Sequence, residues 1–265
     1  MLEALEGTTC ENRPYRVCAE KVAEFVDVTG DDPQRWTDAA PPGFAAALLF
    51  VVAPELLEDP RVSGSVVHGD QSFVWHSPLR IESRLAVTGT VERVRTRGET
   101  AFVVFSLVAT EGDAPVVEGR STFLVGPSGE PMPEVEEPAA AQRADSATVG
   151  AELPSPRSAS RLDLVRYAAA TRDWNPIHWD HAAAVAAGLG GVVVHGLLQS
   201  AWLTAVAATA GPDGRPLRSA RFRYTAPLRP ARGAIVEGDI GGETFDLRLR
   251  DGDVTTVTGR FEVAR

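Results

Sequence analysis

Two apolar rhythms alternate along the chain, and they occur twice in the same order. Residues 19–33 (AEKVAEFVDVTGDDP) and 161–176 (RLDLVRYAAATRDWNP) each carry a short helical period that runs into a polar turn. In the second, Ser160 with Asp163 three residues on predicts an N-cap with a near-capping box. Next come GFAAALLFVVAPELL (43–57) and GLLQSAWLTAVAATAG (196–211), apolar nearly all round, which predicts one buried helix in each half. Strand patterns follow. FVWHSPLRIESRLAVTGTV (73–91) aligns without a gap with FRYTAPLRPARGAIVEGDI (222–240), and residues 100–110, 119–125, 243–250 and 255–263 add further β-rich runs. Each half therefore reads as an α+β unit of helix and antiparallel strands, and the repetition suggests duplication.

Between the halves, residues 126–150 are rich in Pro, Gly, Ala and acid and show no period. The expected organisation is a domain at 1–128, a Pro/Ala/Glu-rich linker at 129–148 and a second domain at 149–265. The net charge of −10 argues against nucleic-acid binding, which needs a basic face. Lys21 is the sole lysine and follows no Gly-rich loop, and neither GxGxxG nor GxSxG occurs. Schiff-base, nucleotide and serine-hydrolase chemistries fall away. Cys10 and Cys18 are too few for a disulfide framework or a four-ligand zinc site. With no membrane-length apolar run and an acidic N-terminus, the expected location is the cytoplasm, with no membrane partner.

Chemistry concentrates in Tyr167-Ala-Ala-Ala-Thr171-Arg-Asp173-Trp-Asn175-Pro176-Ile-His178-Trp-Asp180. A helix ending near Thr171 leaves Asp173 and Asn175 in a turn, and Pro176 suits the first position of the next helix. Asp173 and His178 then sit close on a rigid turn, one able to give a proton and one to accept it. The Asn175 amide beside them is suited to orient a side chain or a water. Downstream, Val-Val-Val-His195-Gly196-Leu-Leu opens the second buried helix. A glycine at a helix N-terminus admits a carbonyl to the free N–H groups there, so the Gly196 amide is a candidate oxyanion donor.

D-x-N-P-x-H followed by V-H-G-L-L resembles the (R)-specific hydratase motif of the MaoC-like dehydratases, from about Val149 to the end. VVHGDQSFVWHSPLR and GRSTFLV resemble the companion N-terminal dehydratase domain of double hot-dog proteins. The resemblance implies two tandem hot-dog folds, each an antiparallel sheet wrapped around a central helix, the N-terminal one non-catalytic. It implies Asp173 and His178 as the catalytic pair, Gly196 as oxyanion amide and Asn175 as supporting residue. The reaction implied is syn addition of water to a trans-2-enoyl thioester, or its reverse, with no metal or other cofactor. Acyl-CoA or an acyl carrier protein would present the substrate. A homodimer of double hot-dog chains is a further expectation. Where family members usually have glycine before the aspartate, this chain has Arg172, and the first half has Arg35 where the histidine would fall, so one active site per chain is expected.

Competing readings attach to the same residues. His178, Asp180 and His181 lie at metal-ligand spacing, but one short turn rarely completes a coordination shell. His195 reads first as a structural hydrogen-bonder, and His68 and His76 have no evident acid–base partner. Trp174, Trp179 and Trp202 read as core or tunnel wall. Residues 215–232 hold six arginines and no acid, with Arg221 and Arg223 on one strand face. That face is either solvated or a landing patch for coenzyme A phosphates or an acidic carrier protein. Two other functions compete: a hot-dog thioesterase and a non-catalytic acyl-thioester binding subunit. Hot-dog thioesterases carry an acid on the central helix, and 196–211 has none.

Overall fold

A computed structural model describes residues 2–57, 59, 62, 65–126, 130–135, 153, 155–210 and 216–264. Ten strands form one antiparallel sheet in the order β1 (Thr9–Arg16), β3 (Arg84–Arg97), β4 (Thr100–Glu111), β5 (Ala114–Val125), β2 (Val66–Trp75), β7 (Leu217–Tyr224), β10 (Val254–Val263), β9 (Thr244–Asp251), β8 (Ala234–Asp239) and β6 (Ser155–Arg157). The order within the second half mirrors that within the first. The halves join through β2 and β7, which pair only from Asp70 opposite Arg223 to Val74 opposite Ser219.

The sheet wraps two buried helices, α2 (Ala46–Leu57) and α5 (Gly196–Ala210), as the all-round apolar runs require. The hydroxyls of α5 are absorbed inside the fold. Thr204 donates to the Ser200 carbonyl at 2.7 Å, and Ser200 contacts the Tyr224 hydroxyl at 2.8 Å. Gly43 faces Ala201 of α5, whose Cα a side chain would meet at 3.2 Å. Two further helices, α1 (Ala19–Thr29) and α3 (Arg161–Thr171), pack on each other across the halves. Arg166 of α3 bonds Glu24 and Asp27 of α1 at 2.6 Å each, and Phe25 lies 5.8 Å from Tyr167. The Ser160–Asp163 capping box is present at the start of α3.

Most of the expected linker, 136–148, lies outside the described residues, but its first part takes a definite path. The Met132 and Val135 N–H groups donate to the Gly188 and Gly190 carbonyls at 2.8 Å each. Glu134 contacts His181 at 3.1 Å. The segment therefore lies along the loop that leads into α5.

Candidate active site

α3 ends on Arg172, whose φ of 68° is left-handed and whose N–H returns to the Ala168 carbonyl. This geometry favours glycine, the residue usual here in the resemblance above. Arg172 carries its guanidinium outward, 5.9 Å from the centre of the Tyr15 ring. The reversal turns Asp173 inward, where it is 6% exposed. A short 3-10 helix, Pro176–His178, follows, capped by Asn175. The Asn175 Oδ1 accepts from the Ile177 N–H at 3.4 Å, and Nδ2 donates to the Val66 carbonyl at 2.8 Å. Both ends of that amide thus go to backbone. Asn175 thereby fastens the turn to β2 of the first half.

His178 Nδ1 lies 2.9 Å from the Val193 carbonyl. A carbonyl only accepts, so the proton is on Nδ1 and Nε2 keeps its lone pair. By the same logic His195 donates Nε2–H to the Asp173 carbonyl at 3.2 Å, the structural role its position suggested. The two imidazoles stack with centroids 3.7 Å apart and planes 25° apart. Donor atoms of Asp173, His178 and His195 all lie within 4.8 Å of one another. Stacked rings direct their lone pairs along nearly parallel planes rather than toward one point, so the cluster suits proton transfer better than ligation.

Burial sets the charges. It pushes the Asp173 carboxyl up to about 7, partly offset by the Asn175 backbone amide. It pushes His178 down to about 4, despite the Val193 carbonyl, and His195 well below its usual value. The usual order is inverted. Between about pH 4 and about pH 7 the carboxyl holds its proton while both imidazoles are neutral.

Gly196 is the first residue of α5, whose leading N–H groups have no intrahelical partner. A side chain there would stand 2.9 Å from the Tyr224 ring, so glycine is required by packing. Tyr224 in turn lies 5.2 Å from His68 of β2. Neither Tyr224 nor His68 was evident from the sequence as part of the site. The signal available was a repeat: Val-Val-His-Gly occurs at 66–69 and again at 193–196.

Other candidates fall elsewhere. Arg221 and Arg223 are exposed and alternate with Phe222, which is 1% exposed, so they leave the sheet on the side away from α5. They do not join the Asp173–His178 cluster. Trp202 is buried as expected, but Trp174 and Trp179 are 51% and 43% exposed and belong to neither core nor an inner wall. Their turn points them outward while Asp173 and His178 point in. Asp180 caps α4 (His181–Ala186) by accepting from the Ala183 N–H at 3.1 Å, and His181 turns to Glu134. His76 pairs with Glu118 on the surface.

Residues 141–257 match the MaoC like domain family, and residues 4–119 match the FAS1-like dehydratase domain region. The chain thus carries two dehydratase-family regions in tandem. It is 27% identical over 245 residues to 3-hydroxyacyl-thioester dehydratase X of Mycobacterium tuberculosis, covering 87% of this chain and 79% of that one. A UPF0336 protein of Streptomyces coelicolor is 37% identical over 98 residues, 31% of this chain; the chain spans 65% of that relative's length. In fold, the crystal structure of HtdX of Mycobacterium tuberculosis superposes with a TM-score of 0.78 at 19% identity, covering 97% of this chain and all of that one. A second protein of that organism, described as a double hotdog fold, gives 0.64 at 13% identity over 97% of this chain and 96% of its own. The two-unit sheet of this chain is accordingly a double hot-dog.

Proposed function

We propose that this chain catalyses the (R)-specific addition of water to trans-2-enoyl thioesters and the reverse dehydration of (R)-3-hydroxyacyl thioesters. The observation that carries the reading is a buried carboxyl pushed up to about 7 beside a neutral imidazole with a free Nε2. The family and the relative named as a 3-hydroxyacyl-thioester dehydratase support it.

In the hydration direction, the Gly196 N–H polarises the thioester carbonyl from the positive end of α5. His178 Nε2 takes a proton from water as the water oxygen bonds to C3. The C2=C3 electron pair moves toward the carbonyl, and the protonated Asp173 gives its proton to C2. A proton then passes from His178 back to Asp173, within the 4.8 Å cluster, and restores the starting state. Water has been added with no net proton change, and no group outside the chain is consumed. His195 holds the Asp173 backbone and stacks on His178, which fixes both partners. Asn175 ties this turn to the first half, which closes the groove as a non-catalytic domain. Among the described residues no helix is long and apolar enough to cross a membrane. The substrate is presented by coenzyme A or an acyl carrier protein.

Crotonyl-CoA tests the reaction class. Loss of the enoyl absorbance without release of free thiol is the expected result. Thiol release would identify a thioesterase, and neither change would leave an acyl-thioester binding subunit.

A further inference from the structure

Across the join of the two halves, β2 and β7 stop pairing after Asp70 and Arg223, and the β2–β5 register shifts between His68 and Asp70. Gly69 is the extra residue of this bulge. A side chain on it would come within 2.5 Å of Leu124. Bulges re-aim the side chains beside them. Here the re-aimed residue is His68, whose ring is met by the Gln71 side chain and the Asp70 backbone but whose Nε2 is buried with no hydrogen-bond partner. Its ring is held by Phe123 at 4.8 Å and by Tyr224 at 5.2 Å. Tyr224 lies directly against Gly196, the proposed oxyanion residue, and its hydroxyl is fixed by Ser200. Two residues from His68, the Val66 carbonyl accepts from Asn175 of the catalytic turn. His68 is also near enough to His178 that charge on one disfavours charge on the other.

A packing histidine has no need of this arrangement. Burying an imidazole nitrogen without a partner is unfavourable, and phenylalanine would fill the same stack without that penalty. The first half thus places an orphaned polar atom one ring away from the Gly196 amide and within electrostatic range of His178.

We propose that His68, a residue of the non-catalytic half, is a third polar contact of the reacting centre and holds the water that adds to C3, or the 3-hydroxyl in the reverse direction. This rests on the hydratase reading of the Asp173–His178 site. His68 exchanges no proton in the reaction: burial holds it neutral, with a pKa of about 3. It acts by hydrogen bonding alone. Water held by Asp173 and His178 has two fixed partners, and a third fixes its direction of attack. The active site is then built from both halves of the chain.

The test compares His68→Phe, which keeps the stack, with His68→Gln, which restores a neutral hydrogen-bonding group. For crotonyl-CoA hydration, His68→Phe should lower kcat by roughly 10- to 100-fold with KM little changed, because the lost contact is to the water and not to the thioester. His68→Gln should recover most of the loss. Calorimetry in an Asp173→Asn background, where bound ligand is not turned over, should show that His68 favours 3-hydroxybutyryl-CoA over butyryl-CoA. His68→Phe should abolish that preference. Equal kcat for wild type and His68→Phe, or a His68→Gln variant as impaired as His68→Phe, would overturn the proposal while leaving the hydratase reading intact. A wild type that neither converts crotonyl-CoA nor binds either thioester would overturn both.

Discussion

The two halves build the same turn and finish it with different chemistry. α1 ends on Gly30 at φ 67° and α3 ends on Arg172 at φ 68°. Each reversal turns the next residue, Asp31 or Asp173, to 6% exposure, and burial raises the pKa of both. A capped 3-10 helix opening on proline follows in each, Pro33–Arg35 and Pro176–His178. Its last residue decides the outcome. Arg35 puts a permanent cation 3.7 Å from Asp31 and reaches across to the Ala208 carbonyl and the Thr209 hydroxyl at the end of α5. An arginine cannot accept a proton at any working pH, so that turn has no base. At the start of the central helical segment, Pro42-Gly43 stands where the second half has His195-Gly196, which removes the stacked imidazole as well. One backbone device thus serves as an interdomain tie in the first half and, under the proposed function, as an acid–base pair in the second.

The largest expected effect comes from making the second turn resemble the first. His178→Arg should lower crotonyl-CoA hydration by about 10²–10⁴-fold, the usual loss when a positioned base is removed. Near-normal turnover in that variant would show that the imidazole is not the base.

Next in size is pH. The reactive form needs Asp173 protonated, with its pKa near 7, and His178 neutral, with its pKa near 4. The kcat/KM profile should be flat between these values and fall about tenfold per unit well above pH 7, as the carboxyl ionises. A rise through pH 7 would reverse the acid and base assignments.

The raised carboxyl also affects stability. Its folded pKa of about 7 exceeds the ordinary 3.8, so its contribution is fully present below about pH 4 and is lost as pH rises through 7. Asp173→Asn is neutral throughout. In thermal denaturation it should gain on wild type at pH 8, on the order of a few kcal/mol, and lose that advantage at pH 3. An equal difference at both pH values would mean that the carboxyl is not buried in its acid form.

The smallest effect is assigned to Arg221 and Arg223. The sheet separates them from the reacting atoms, so replacing both by Gln should leave kcat unchanged. If this face meets the phosphates of the carrier, KM for a coenzyme A thioester should rise a few-fold and lose much of its salt dependence. Unchanged KM and salt response would make it an ordinary solvated strand face.

Much of this was legible in the chain because the responsible forces are local. Ser160 and Asp163 cap α3 through bonds three residues apart, and the pattern of Asp173, Asn175, Pro176 and His178 defines its own turn. The all-round apolar runs at 43–57 and 196–211 could be satisfied only by burial. What escaped depends on contacts between distant residues. The Asn175 amide is used by Val66, 109 positions away, and His68 enters the site through a bulge whose register is set by β5 and β7. Trp174 and Trp179 depart from the expected core or tunnel wall because this turn has only one inward side, taken by Asp173 and His178.

One acid–base site per chain is expected, and the most direct test measures the two turns together. Asp31→Asn and Asp173→Asn are equivalent changes at equivalent positions, and kcat/KM for crotonyl-CoA should be determined for both beside wild type. The prediction is near-wild-type activity for Asp31→Asn and a loss of about 10²–10⁴-fold for Asp173→Asn. Comparable losses in the two variants, or full activity in Asp173→Asn, would contradict it.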